Sequence, residues 1–378
     1  MKNILILHSS NDLYGASKAL IKTINCLNKN QFKIHLILPS SGKLDNELIN
    51  KVYKLNYYNL GVFRKKYLNF LGLFDRFFKI IDSSLYVRNY IKKNKIDLVY
   101  TNTSVIWAGS IASFSLKKKN IVHIHEIPFG NNLYNVISGI FFKLFTDSVI
   151  VVSEKVKDHW KKNIDIKKMK IIYNYSEFQI KERQFEYFKK GTTEYTITNI
   201  SRIVPQKGIE YFIKIASELL KKNKELKFNI VGDHLSHSDN YLNNLKKILK
   251  NNNLEKHILF KGFIKDIKKV ILNSDMILQT PVKPDSLPTV LIDSLTLNKP
   301  VVSTNVGGSS EILNCGKNGL LIPTNNPKKS AKLIYEYSKN LNLQKEHLVN
   351  SASFLEENFS QSKFETNILI TLSKLLNE

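Results

Sequence analysis

Residues 284–311 read PDSLPTVLIDSLTLNKPVVSTNVGGSSE, and the rest of the chain is organised around this stretch. It reads as a loop ending in a carboxylate, a short helix carrying a second carboxylate, a buried strand, and a Gly-Gly turn that opens another helix. Asp285 and Asp293 lie a little over two helical turns apart. A helix beginning near Ser286 would put one at its mouth and the other on roughly the same side, two turns in. Such a row can hold two hydroxyl groups of one extended polar ligand. The helix start, over Ser286, Leu287, Pro288 and Thr289, offers backbone N–H groups, Pro288 excepted, to a phosphate of that ligand.

The same stretch resembles the retaining GT-B glycosyltransferases of the "glycosyl transferases group 1" class, family GT4. Their usual run is a Glu, seven residues, a second Glu, then G-K-P-V-V-x-T-x-V-G-G-x-x-E. Here Asp285 and Asp293 stand for the two Glu and Asn298-Lys299-Pro300-Val301-Val302 for G-K-P-V-V, while Gly307, Gly308 and Glu311 match directly. The resemblance implies an α/β protein with two Rossmann-like domains facing across a cleft and a C-terminal helix crossing back to the first. The boundaries expected are 1–178 for an acceptor-side domain, 179–355 for a nucleotide-sugar domain and 356–378 for the returning helix.

Composition agrees with this outline. A chain of 378 residues exceeds one typical core and suits two domains, and 43% hydrophobic content is globular. Cys26 and Cys315 are far apart with no metal-type spacing, which suits a reduced, cytoplasmic setting. The opening MKNILILHSS has too short an apolar run for a signal segment and reads as a buried strand. The most apolar span, 134–152, is cut by Lys143 and Asp147, so no transmembrane helix is expected. Net charge is +25, weighted toward the N-terminal half. Nucleic acid, an anionic membrane face, or merely a solvated Lys-rich surface would each account for it.

Short apolar runs at 4–7, 34–38, 98–100, 121–124 and 148–152 have the length of strands buried on both faces, with helical segments such as 16–27 and 85–93 between them. The rhythm resumes after a polar linker, 177–194, with strands at 196–200, 227–231, 258–260, 276–279 and 300–303. Repeating strand–helix units mean parallel sheets with right-handed crossovers.

Four further motifs carry chemistry. The loop from His8 to Ser17 places Gly15 just before a helix, where free N–H groups can face an anion; it is neither a dinucleotide fingerprint nor a P-loop. In His123-Ile124-His125-Glu126 the two histidines share one face of a strand whose carboxyl end is a ligand position in α/β sheets. His123 reads as structural; the resemblance puts His125 beside the sugar. A metal reading lacks a third ligand. Ser201-Arg202-Ile203-Val204-Pro205-Gln206-Lys207-Gly208 sets two cations on one loop, able to converge on a diphosphate, and resembles the family's G-R-L-x-x-x-K-G. Gly232 and Phe263, after the next two strands, are candidates for nucleobase contact. Between residues 63 and 90, Arg64, Lys65, Lys66, Arg76, Lys79 and Arg88 interleave with Phe63, Phe70, Phe74, Phe77 and Phe78, which reads either as a membrane-resting surface or as aromatics facing the core.

No D-x-D triplet occurs, so the expected chemistry uses no metal and no cofactor beyond the sugar nucleotide. The expectation is a glycosyltransferase acting in bacterial surface polysaccharide synthesis (capsule, O-antigen or exopolysaccharide). It would be cytoplasmic, either free or peripheral on the inner face of the plasma membrane. Asp285, His125, Lys207 and Arg202 would be catalytic; Gly15, Arg202, Lys207, Gly232, Phe263, Ser286, Leu287, Pro288, Thr289 and Asp293 would bind the donor. Expected partners are the nucleotide-sugar donor and a glycan or lipid-linked glycan acceptor, with no nucleic acid. A nucleotide-sugar epimerase or hydrolase of the same fold, and a catalytically weak partner subunit, are the alternatives.

Overall fold

The computed structural model describes residues 1–128, 130, 132–178, 195–234 and 239–377, so most of the expected 177–194 linker lies outside the described residues. The chain divides into two compact units: Met1–Asn174 with Ser362–Glu378, and Tyr175–Gln361.

In the first unit, the apolar runs become β1 (Asn3–Leu7), β2 (Lys33–Leu38), β3 (Lys54–Tyr57), β4 (Leu98–Thr101), β5 (Lys119–Ile124), β6 (Ser148–Val151) and β7 (Met169–Ile171). All pair in parallel, in the order β3-β2-β1-β4-β5-β6-β7. The second unit contains β8 (Tyr195–Ile200), β9 (Leu226–Val231), β10 (Ile258–Gly262), β11 (Met276–Gln279), β12 (Val301–Thr304) and β13 (Leu320–Ile322), again parallel, in the order β10-β9-β8-β11-β12-β13. Strands flanked on both sides must be apolar on both faces, and Ile4, Leu5, Ile6 and Leu7 are all fully buried.

The ten expected strands are present within about two residues at each end. Three more, β3, β7 and β13, lie outside the sequence expectation, and each is a sheet edge. With one neighbour and partial exposure, an edge strand needs no continuous apolar run, and Lys54-Leu55-Asn56-Tyr57 has none. The helix expected at 85–93 is longer, Phe70–Lys93, because Asn69 caps it: the Gly72 amide donates to Asn69 Oδ1 at 2.8 Å.

Strand order reverses between β1 and β4 and between β8 and β11. At such a reversal the loops leaving the two strands part to opposite faces and leave a crevice at the carboxyl ends. Each unit has one such crevice.

The last helix, Gln361–Asn377, is separated from the Leu341–Phe359 helix by extended backbone at Ser360. Phe364, Ile368, Leu372 and Leu375 fall on one helical stripe and are buried. The helix belongs to the first unit: Lys29 pairs with Glu365 at 2.7 Å and the Cys26 thiol faces the Glu365 carbonyl at 3.8 Å. Both tryptophans, Trp107 and Trp160, lie in this unit, so tryptophan fluorescence reports its unfolding. Phe364→Ala should lower the stability seen by fluorescence in a urea titration by about 3–5 kcal/mol; an unchanged midpoint would show that the helix is not part of that core.

Candidate active site

In the second unit, the loops leaving β8 and β11 are zipped together by backbone. The Val282 amide donates to the Gln206 carbonyl at 3.1 Å, and Thr280 Oγ1 donates to the Gly208 carbonyl at 3.0 Å. Gly208 has φ +66°, and a Cβ there would stand 1.9 Å from the Thr280 carbonyl oxygen. Only glycine lets the loops approach this closely. The zipper delivers Lys207 onto Asp285, and the two form a partly buried ion pair.

Asp285 is held from its other side by the Gly-Gly turn. The Gly308 amide donates to the Asp285 carbonyl at 2.8 Å. Gly307, at φ +64°, would drive a Cβ to 2.1 Å from that same oxygen. The distance in sequence between the Pro-Asp pair and Gly307-Gly308 is therefore the length of helix and strand needed to bring a turn back against Asp285.

The helix carrying Asp293 spans Thr289–Thr296, which corrects the expected start near Ser286. Pro288 is the residue before its first turn, and a proline disfavours helical backbone at Leu287. Asp285, Ser286 and Leu287 thus belong to the glycine-clamped loop, and Pro288 and Thr289 form the helix mouth. Asp293 accepts from Ser176 Oγ at 2.7 Å. Ser176 escaped the sequence reading because nothing local marks a serine so distant in the chain. Arg202 is exposed on the loop after β8, which is tied to the next loop by the Ile203 amide on the Asp233 carbonyl at 2.9 Å. Gly232 presses against the same loop: a Cβ would lie 1.9 Å from the Ser201 carbonyl oxygen. Phe263 is half exposed after β10.

In the first unit, Gly15 opens the Gly15–Lys29 helix, with open space where a Cβ would stand. His125 directly follows β5 and is buried, with Nε2 3.0 Å from Asn102 Oδ1 on the loop after β4. Asn102 Nδ2 lies 3.2 Å from Nδ1 of His8, which directly follows β1. Glu126 accepts from Thr103 Oγ1 at 2.7 Å and from Ser104 Oγ at 3.0 Å, fixing that same loop against β5. His123 bonds Tyr100 OH at 2.7 Å, as a structural histidine should. Asn102, His8, Thr103 and Ser104 are site-building residues that the sequence reading missed. Among the described residues, no group of three or more His, Cys, Asp or Glu is arranged to hold a metal ion.

Burial removes the charge from these imidazoles. It lowers His125 to about 3. Burial, and then the neighbouring His125, lower His8 to about 4.

Residues 14–175 match the family description "Glycosyltransferase Family 4", and residues 180–352 match "Glycosyl transferases group 1". The chain belongs to this glycosyltransferase family and is a transferase with the GT-B fold. It is 26% identical over 266 residues to an uncharacterized glycosyltransferase of Methanocaldococcus jannaschii, covering 68% of this chain and 70% of that protein. It is 25% identical over 195 residues to the poly(ribitol-phosphate) alpha-N-acetylglucosaminyltransferase of Staphylococcus aureus, covering 51% of this chain but only 37% of that protein. Among solved structures, Anabaena HepE in complex with UDP-glucose superposes with a TM-score of 0.83 at 21% identity, covering 99% of this chain and 100% of that one.

Because folding depresses the affinity of His8 and His125 for protons, the unfolded chain binds more protons below pH 6.5. Stability is then fully present above that pH and is lost as pH falls toward 4, by about 2 kcal/mol per histidine at pH 5. Thermal melts from pH 8 to pH 4.5 should show this fall, shallower in His125→Asn; equal slopes for both proteins would contradict the assignment.

Proposed function

We propose that the chain transfers a sugar, with retention, from a nucleotide-diphosphate sugar to an acceptor hydroxyl in the assembly of bacterial surface polysaccharide. The observation that carries this reading is the Lys207–Asp285 pair at the strand-order reversal of the second unit. In a glycosyl transfer, negative charge builds on the departing diphosphate. An ammonium already fixed at the crevice meets that charge without reorganisation; one of its three N–H donors goes to Asp285, and the others can face phosphate oxygens. Arg202 adds a bidentate donor set from the same loop. Asp285 takes sugar hydroxyls, Asp293 with Ser176 takes the ribose, and His125 of the first unit accepts from a sugar hydroxyl. Support for a uridine diphosphate donor comes from HepE, and support for a glycan acceptor from the staphylococcal enzyme's poly(ribitol phosphate).

A thermal-shift panel of UDP, GDP and ADP with their sugars selects the donor, since a ligand of the folded state raises Tm. With that donor, Lys207→Ala should keep its fold and lose about 10²–10³-fold in kcat/KM, with the wild-type rate unaffected by EDTA. Turnover near wild type in this variant overturns the assignment. Diphosphate release that continues undiminished without an acceptor would make the enzyme a hydrolase instead.

The acceptor side carries a further observation. On the Phe70–Lys93 helix, Phe70, Phe74, Phe77, Phe78, Ile81 and Leu85 form one exposed stripe, while Arg76, Ser83, Val87, Tyr90 and Ile91 are buried on the other face. The aromatics at 70, 74, 77 and 78 therefore do not face the core, although Phe63 does. Exposed Arg64, Lys65, Lys92 and Lys93 stand near the two ends of the stripe. Self-association over this face would bring like charges together, whereas an anionic lipid surface satisfies both the aromatics and the cations. Among the described residues, no helix is long and apolar enough to cross a membrane. The enzyme then works from the cytoplasmic face as a peripheral protein, on a lipid-linked acceptor. It should co-sediment with phosphatidylglycerol-containing vesicles, not with phosphatidylcholine alone, and Phe74→Ser with Phe78→Ser should release it. Indifference to lipid charge, or dimer formation through this helix, would remove the membrane from the account.

A further inference from the structure

A continuous hydrogen-bonded chain runs behind His125 across three adjacent strand ends. His125 Nε2 meets Asn102 Oδ1 at 3.0 Å, and Asn102 Nδ2 meets His8 Nδ1 at 3.2 Å. His8 Nε2 meets Ser17 Oγ at 3.0 Å, and Ser17 Oγ meets Asp12 Oδ1 at 2.9 Å. Ser10 Oγ lies farther from His8 Nε2, at 3.4 Å.

The direction of this chain is fixed at two independent points. Asn102 also donates through Nδ2 to the Ala16 carbonyl at 3.1 Å. A carbonyl can only accept, so the amide nitrogen faces Ala16 and His8, and the amide oxygen faces His125. The same holds at Asp12, whose Oδ1 also accepts the Tyr14 amide at 3.0 Å. Ser17 must spend its proton on that carboxylate, and its oxygen then accepts from His8. Both constraints give one answer. His8 carries its proton on Nε2 and accepts at Nδ1; His125 carries its proton on Nε2 and donates it to Asn102. Nδ1 of His125 is left as a lone pair.

We infer that Asp12, Ser17, His8 and Asn102 are positioning residues that lock His125 in the Nε2–H tautomer, so that its Nδ1 serves only as a hydrogen-bond acceptor for a substrate hydroxyl. This deepens the reading above and rests on it for the identity of the hydroxyl, though not for the tautomer. In this arrangement His125 orients the sugar and moves no proton. Were the ring free to adopt the other tautomer, Nδ1–H would point a donor at a hydroxyl that must then turn its own oxygen inward, and the sugar would sit in the wrong rotation.

The test combines nitrogen-15 NMR of histidine-labelled protein with kinetics. In the wild type, His125 should show a protonated Nε2 and a bare Nδ1, without any ligand. Ser17→Ala removes the acceptor that His8 needs, so the Nδ1–H form of His125 should become visible and kcat should fall about tenfold. The Tm shift by the sugar-free nucleoside diphosphate of the donor selected above, which has no donor-sugar hydroxyl for His125 to orient, should be unchanged. Ser17→Thr, which keeps the hydroxyl, should restore both the tautomer and the rate. A wild-type His125 protonated on Nδ1 overturns the inference, as does a Ser17→Ala enzyme with wild-type kcat while His125→Ala is inactive. A fully active His125→Ala enzyme would instead refute the functional reading of His125, and the NMR result would still decide the tautomer.

Discussion

Parallel strands all point one way, and this single constraint gathers the chemistry of the protein. Each carboxyl end in a sheet opens on the same edge, and where strand order reverses the departing loops leave room for a ligand. In the first unit that edge receives His8 from β1, Asn102 from β4 and His125 from β5; in the second it receives Lys207 from the loop after β8 and Asp285 from the loop after β11. Residues distant in sequence become neighbours because of strand order, not because of any local turn.

What the two edges do with their polar groups differs. The first buries neutral imidazoles, a costly choice unless every donor and acceptor along the line is used. Except at Nδ1 of His125, the chain from His125 to Asp12 meets that condition, ending on a carboxylate that also accepts a backbone amide. The reward is a ring of fixed polarity that stays uncharged across the physiological range. The second edge keeps formal charges but pairs them, Lys207 with Asp285, at partial exposure where the cost of desolvation is smaller.

Much of this was written in the sequence at short range. Loop glycines, the basic loop after β8 and the Pro-Asp segment are local signals, and both sheets follow from apolar runs of strand length. What stayed hidden depends on contacts that no short window contains. Ser176 reaches Asp293, and Asn102 links two histidines, only after the sheets are assembled. The helix start at Thr289 was misplaced because the stretch from Ser286 is compatible with a helix until the clamp by Gly307 and Gly308 and the constraint of Pro288 are weighed together. Phe63 and Phe74 are the same residue type in the same basic-aromatic run, yet one is buried and the other exposed. Composition alone cannot separate them; packing does.

The glycine clamp also explains why a partly buried ion pair can be kept at the carboxyl edge of the second sheet. A flexible lysine loses side-chain entropy when it is held, and a surface ion pair returns little of it. Here the backbone bears that cost instead. Gly208 lets the Lys207 loop lie against Thr280, and Gly307 lets the turn lie against Asp285, so both partners start from fixed Cα positions before any side-chain contact forms. Preorganisation of this kind matters most for an electrostatic group, because a donor that must move or shed water as charge develops returns part of its benefit as reorganisation. The two glycine contacts therefore fix where the Lys207 ammonium stands before any ligand arrives.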